Sequence, residues 1–310
     1  MKKGNENLYL AKERKNDEFY TRIEDIQEEI YHYRHHFKGK SVFLNCDNPD
    51  ESNFVKYFAE QFNILGLSRL VSTYYDKNKR PYKLVIEKDV NGDGKINFDD
   101  IEKTLLDGDG DFRSDESIEI LKNSDIVVTN PPFSLFREFV SLLEKYDKKF
   151  LIIGSQNAIT YKDVIRMFME NKIWMGISKP KKFMQPDGTL KDFGNICWYT
   201  NLEHRRRNEE MILFREYHGE DSFSYIKYRN FNAIEISKTA DIPKDYDGVM
   251  GVPISFMDKY NPKQFEILGA ELFWNIETSE GIFERPTHEL INGREVYKRI
   301  WIKNKKPILK

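Results

Sequence analysis

The chain has 310 residues, of which 39% are hydrophobic, 14% aromatic and 32% charged, with a formal net charge of −2. That length and aromatic content suffice for a full core plus a smaller second region, so the mean hydropathy of −0.67 reflects a charged surface and excludes a disordered chain. Near-neutrality excludes a generic nucleic-acid coat, two cysteines exclude a disulfide scaffold, and no apolar run is long enough to span a bilayer.

Residues 1–18 are polar and carry no apolar leader core, which predicts an intracellular, cytoplasmic protein. A helix is predicted through Ile23, Ile26, Ile30 and Tyr33. Ser41 to Cys46 reads as the first strand, and Ser52 is placed to cap a helix carrying Phe54, Tyr57 and Phe58. No glycine-rich turn separates them, so the backbone is not built there to cradle a phosphate. Leu67 to Thr73 is the next strand, with no acid at its tip.

Residues 77–106 form an acidic insertion, and segment 89–119 holds 11 acidic residues against 3 basic, a balance of −8. Within it Asp89, Asn91, Asp93, Lys95, Asn97 and Asp100 take positions 1, 3, 5, 7, 9 and 12 of a calcium loop, with Gly94 at the sharp turn. Position 12 is Asp where Glu would chelate more surely, and an acidic turn without metal is the competing reading. Ser114 caps the helix that begins at Asp115.

Ile126-Val-Val is a short β-branched run that suits a buried parallel strand, and it leads into Asn130-Pro131-Pro132-Phe133. Two prolines hold φ near −65° and force a stiff turn at the strand's carboxyl end, where open α/β sheets bind ligands. The Asn130 amide oxygen and the Pro131 carbonyl can accept both N–H bonds of an exocyclic amino group. That biases its nitrogen toward sp³ character and exposes the lone pair to an electrophilic methyl group. Phe133 can stack on the planar group, a contact of roughly 1–3 kcal/mol for a base. The plainer alternative is a strand-ending turn with a core Phe.

Phe150 to Gly154 is another buried strand, Tyr161 to Asn171 a helix, and Ile173 to Gly176 with Ile196 to Thr200 a closing strand pair. Cys46 and Cys197, each in an apolar strand-like run, read as reduced thiols. Segment 172–207 has 8 basic residues against 3 acidic, and 294–310 has 7 against 1. Lys179, Lys181, Lys182, Arg205, Arg206 and Arg207 are loop-borne and suit phosphate contact, or else a solvated face. Beyond 204 the periodicity weakens into short strands among turns.

These segments resemble the EcoRI-type adenine-specific DNA methyltransferase family. The likeness rests on Asp125 to Glu138, Gly110 to Ser114, Lys149 to Gly154, Asn45 to Phe54, Asn195 to Leu202 and Gly248 to Ile254, nearly the whole chain. It implies an α/β fold with a doubly wound, mostly parallel Rossmann-like sheet. Residues 1–204 would form the catalytic domain and 205–310 a target-recognition region. It implies S-adenosylmethionine as cofactor and N6 of a flipped adenine in double-stranded DNA as acceptor, with Asn130, Pro131, Pro132 and Phe133 catalytic. By resemblance Phe19, Tyr20 and Thr21 close over the cofactor, the Asp47–Ser52 turn replaces the glycine-rich loop, and Asp111 and Phe112 bind the cofactor's adenine. A monomer acting beside a restriction endonuclease of the same site is the expected setting. Competing readings are an RNA-base or protein-glutamine methyltransferase, disfavoured by Phe at 133 and the long C-terminal region, and an inactive calcium-responsive binding module.

Overall fold

A computed structural model describes residues 20–76, 80–184, 188–219, 225–228, 232–270, 273–274, 290–291, 294–295 and 298–308. Phe19 and residues 1–18 lie outside them. In chain order the elements are β1 (Tyr20–Thr21), α1 (Ile23–Tyr31), α2 (Arg34–Phe37), β2 (Ser41–Leu44), α3 (Asn53–Glu60), α4 (Phe62–Leu65), β3 (Arg69–Ser72), β4 (Tyr82–Ile86) and β5 (Glu102–Leu105). There follow α5 (Asp115–Lys122), β6 (Ile126–Thr129), α6 (Phe136–Lys145), β7 (Lys149–Ser155), α7 (Lys162–Met169), β8 (Trp174–Met175), β9 (Lys182–Met184), β10 (Leu190–Asp192) and β11 (Ile196–Thr200). The last are β12 (Ala233–Glu235), β13 (Val249–Pro253), β14 (Phe265–Ala270), β15 (Phe273–Trp274), β16 (Leu290–Ile291), β17 (Arg294–Glu295) and β18 (Arg299–Asn304).

The chain divides into two compact units, 1–155 with 176–203, and 156–175 with 204–310. In the first, the large sheet runs β5-β4-β3-β2-β6-β7-β11. Its centre is parallel, Val42 pairing with Leu70 and Ile126, and Val127 with Phe150. These strands are buried on both faces, as their unbroken apolar runs predict. On one face Val42, Leu44, Leu70, Ile126, Val128 and Leu151 pack with Ile26, Ile30, Phe54 and Phe58 from α1 and α3. From α6, Phe136 packs its ring 5.0 Å from that of Tyr199 on β11, and Phe139 meets Phe112 at 5.1 Å. The helix caps are as expected: Ser52 Oγ accepts from Phe54 N–H at 3.1 Å, and Ser114 from Ser117 N–H at 3.2 Å.

The acidic insertion does not interrupt this sheet. Its strands β4 and β5 extend it as an antiparallel hairpin beside β3. The hairpin tip is the candidate calcium loop, and nothing in its geometry supports the metal reading. Asp89 accepts from Gly92 and Gly94 N–H at 2.6 and 2.8 Å, Asn91 from Asp93 N–H at 2.9 Å, and Asp93 from Lys95 N–H at 2.8 Å. Asn97 accepts from Asp99 N–H at 2.7 Å, and Asp100 from Val90 and Asn97 N–H at 2.8 and 2.9 Å. The loop closes on its own amides, and no group of three or more His, Cys, Asp or Glu among the described residues is disposed to hold a metal.

The second unit contains a sheet ordered β12-β13-β18-β14-β15. Segment 156–175 belongs to this unit because α7 turns Val164, Ile165, Met167 and Phe168 inward and packs on β14. The basic C-terminal stretch is here the central strand β18, not a free tail. Arg299, its side chain 11% exposed, grips the buried Glu235 at 2.5 and 3.0 Å, while Tyr228 OH also donates to Glu235. No helix among the described residues is long and apolar enough to cross a membrane.

Removing one partner of that buried pair leaves a charge without its counter-ion. Arg299→Met is expected to destabilise the chain by about 3–5 kcal/mol, and Arg299→Met with Glu235→Leu to recover most of it. Chemical denaturation of both variants checks this. A double variant no more stable than the single would contradict it.

Candidate active site

The chain reaches β3 by moving one way from β2, and reaches β7 by moving the other way from β6. The crevice outside the carboxyl ends of β2 and β6 is therefore the switch point at which open sheets of this kind take ligands. Asp47 sits in it, 7% exposed. Its Oδ1 accepts from Ser52 OH at 2.6 Å and its Oδ2 from Thr129 OH at 2.5 Å. Its main chain receives Ser72 OH at 2.6 Å and donates to the Thr73 carbonyl at 3.1 Å. One residue thus ties β2, β3, β6 and the start of α3 together. Burial pushes its carboxyl up to about 6, against the two hydroxyl donors that favour the charged form.

Extending the parallel register one step beyond Leu44–Ser72 and two beyond Phe43–Val127 puts Thr73, Asn45 and Thr129 side by side across three strands. All three are buried. Thr129 is taken by Asp47, but both amide atoms of Asn45 and the Thr73 hydroxyl lack a partner, as does the buried Thr21 hydroxyl of β1. Because both Asn45 atoms are unmet, an amide flip changes nothing. Buried polar groups in this state cost roughly 1–3 kcal/mol each. They fit a small ligand that brings donors and acceptors together, such as an amino-acid end or ribose hydroxyls.

The Asn-Pro-Pro-Phe turn follows β6 directly. Asn130 is half-buried and Pro131 buried. The Pro132 carbonyl closes the turn by accepting from Leu135 N–H at 2.9 Å. Phe133 begins a short 3₁₀ turn before α6, half-buried against the α1–α4 core face. A polar amide, a proline carbonyl and a part-exposed ring therefore stand next to the polar row of Thr73, Asn45 and Thr129.

A model of the family described as adenine-specific methyltransferase EcoRI matches residues 7–305. The chain belongs to that family. It is 45% identical to the Type II methyltransferase M.EcoRI of Escherichia coli over 97% of both chains. It is 36% identical to M.MpnI of Mycoplasma pneumoniae, over 96% of this chain and 98% of that one, and 34% identical to M.MgeORF184P of Mycoplasma genitalium, over 94% and 97%. No solved structure matches it.

Other positions that family resemblance singled out are placed as follows. Ser52 is fully engaged, capping α3 and donating to Asp47. Asp111 receives Arg113 Nε and Nη2 at 2.9 and 2.7 Å, which holds its carboxyl below the ordinary range, and Arg113 reaches on to Glu138 of α6 at 2.7 Å. Phe112 is 5% exposed beneath the Arg113 guanidinium. Gly110, at φ +75°, lets this loop cross Tyr74, whose carbonyl would lie 1.9 Å from any Cβ there. Tyr20 OH donates to Glu51, and Asn53 Nδ2 donates to the Thr21 carbonyl at 2.8 Å, so β1 is pinned to the β2–α3 turn.

Among the basic residues, Lys179, Lys181 and Lys182 are exposed in the first unit. In the second, the Arg205 side chain is 95% exposed, whereas Arg207 stacks 3.5 Å over Trp174 and donates to Asn171. Arg207 is thus a packing residue. Cys197 is a buried thiol and Cys46 a half-buried one, both free. Asn45 and Thr73 are the residues that sequence reasoning missed. The available signal was a lone amide inside an apolar strand.

A carboxyl with a raised folded pKa holds its proton more tightly when folded, so its contribution to stability falls as pH rises from about 4 to about 6. For Asp47 the shift corresponds to about 3 kcal/mol. Urea unfolding at stepped pH is expected to show this decline in the wild type and its loss in Asp47→Asn. Identical profiles would contradict it.

Proposed function

We propose that this chain transfers a methyl group from S-adenosylmethionine to N6 of an adenine flipped out of double-stranded DNA. The observation that supports this most is the position of Asn130–Phe133 at the switch point, beside the unmet groups of Asn45 and Thr73. S-adenosylmethionine supplies the methyl group when bound. Asn45, Thr73 and Thr21 would hold its polar ends, Asp47 would set their positions, and Asp111 and Phe112 would take its adenine. Asn130 Oδ1 and the Pro131 carbonyl accept the two N–H bonds of the target amino group and direct its lone pair into the pocket. Phe133 stacks on the base, and Pro132 stiffens the turn that aims all three.

In this reading the first unit is a doubly wound, Rossmann-like catalytic domain and the second the target-recognition region. Lys179, Lys181, Lys182, Arg205 and Arg206 would contact phosphates. A cytoplasmic monomer modifying the site of a companion endonuclease fits the Type II names of the relatives. Adenine specificity of the family disfavours a protein-glutamine acceptor, and nothing in the loop at 89–100 supports a calcium-responsive module.

Asn130→Ala is expected to slow single-turnover transfer by about 10²–10³, while calorimetry finds cofactor affinity unchanged. A rate near wild type would end the assigned role. Phe133→Ala should lose, and Phe133→Trp keep, the fluorescence rise of 2-aminopurine at the target position, since stacking needs only a π-face. Equal signals from Phe133→Ala and wild type would refute base capture by this ring.

A further inference from the structure

Away from the switch point, the first unit has an open groove of about 510 Å³ lined by Arg22, Asp25, Glu28, Lys179, Lys181 and Lys182. Its geometry follows from strand pairing. Tyr20 lies opposite Met184 and Thr21 opposite Phe183, so the next position sets Arg22 against Lys182. Like charges directly opposite on neighbouring antiparallel strands are destabilising. On the other side β10 sets Asp192 opposite Lys182, and Arg22 meets Glu24 at 3.1 Å in a solvent-accessible ion pair of little strength. Four cations against Asp25 and Glu28 leave the groove at +2.

The lysine-bearing loop is also fixed from below. Glu29 of α1 is 0% exposed and accepts from Ile177 N–H at 2.8 Å, Ser178 N–H at 2.6 Å and Tyr33 OH at 2.9 Å. Burial raises its pKa, and those three donors oppose the rise. Gly176 must be glycine here, because a Cβ would stand 2.4 Å from Glu29 Oε1. Pro180 is buried directly before Lys181. The cations are therefore held on a preset frame, which lowers the ordering cost of gripping an anion.

We propose that this groove seats a DNA backbone phosphate, with Arg22 joining Lys181 and Lys182 as a phosphate ligand and Glu29 as the positioning residue that holds the loop. The proposal rests on reading those lysines as DNA contacts. An anion between Arg22 and Lys182 relieves their opposition, and a planar guanidinium beside ammonium groups matches phosphodiester oxygens. The modest net charge suits a strand passing through better than a compact polyanion.

Fluorescence anisotropy of the full chain on a short labelled duplex of arbitrary sequence, titrated across salt concentrations, tests it. Arg22→Ala, Lys181→Ala and Lys182→Ala should each reduce the slope of log K against log salt by about 0.9, and Arg22→Lys should preserve it. Glu24→Gln releases Arg22 and should tighten binding by up to about fivefold. Glu29→Gln keeps the side-chain shape but turns a donor toward one loop amide. It should lower the slope while calorimetric cofactor affinity stays unchanged. If the lysine variants lower the slope and Arg22→Ala does not, the lysines meet DNA but the seat is wrong. If none of the three changes it, the reading of the lysines falls too. An unaltered slope in Glu29→Gln removes the positioning role.

Discussion

Everything at the switch point depends on one buried carboxylate being satisfied from several directions. Asp47 draws Ser52, Thr129 and Ser72 to itself, and its amide meets the Thr73 carbonyl, so three strand ends and a helix start are fixed together. Such a group is costly to bury alone and stabilising only when its partners stay in place. Its effect is to hold the row Thr73, Asn45 and Thr129 rigid although two of the three have unmet polar groups. Under the proposed function a bound ligand meets those groups, and the rest of the sheet supplies the stability that allows their cost.

From that centre the constraint passes outward through short links. Thr129 leads within one residue to Asn130, so the carbonyl and amide of the Asn-Pro-Pro-Phe turn inherit the position of β6. Arg113 joins Asp111 to Glu138 and thereby ties the loop before α5 to the helix after the turn. On the other side of β2, Asp50 accepts from Tyr82 OH at 2.6 Å and from Lys103 at 3.1 Å, which straps the β4–β5 hairpin to the β2–α3 turn. The acidic insertion, whose tip holds no metal cluster among the described residues, acts as a brace for the candidate cofactor turn.

Features written in adjacent residues were legible in the sequence. The Ser52 and Ser114 caps, the β-branched run before Asn130 and the strand Ile196–Thr200 needed only local pattern. What was not legible depended on distant partners. The four exposed residues of β5 lie in what the sequence offers only as an acidic insertion, because their strand character comes from pairing with β4. A short strand over Val296 to Ile302 could be read from the local pattern, but its central place in the sheet could not, since nothing nearby announces that Glu235 waits for Arg299 some sixty residues earlier in the chain. Arg207 looked like one of three equal arginines until Trp174 appeared beneath it. Glu29 was one acid among several on an amphipathic helix, and only the fold shows which one turns inward.

On the proposed function the cofactor lies at the carboxyl ends of β2, β3 and β6. Hydrogen–deuterium exchange of the full chain with and without S-adenosylmethionine reads this directly, because a ligand that binds only the folded state slows local opening where it sits. Slowed exchange concentrated in 45–52, 72–76 and 110–114, with 249–270 unchanged, is the predicted result. Saturating cofactor that leaves 45–52 and 72–76 unprotected, or protects 249–270 instead, would contradict the account.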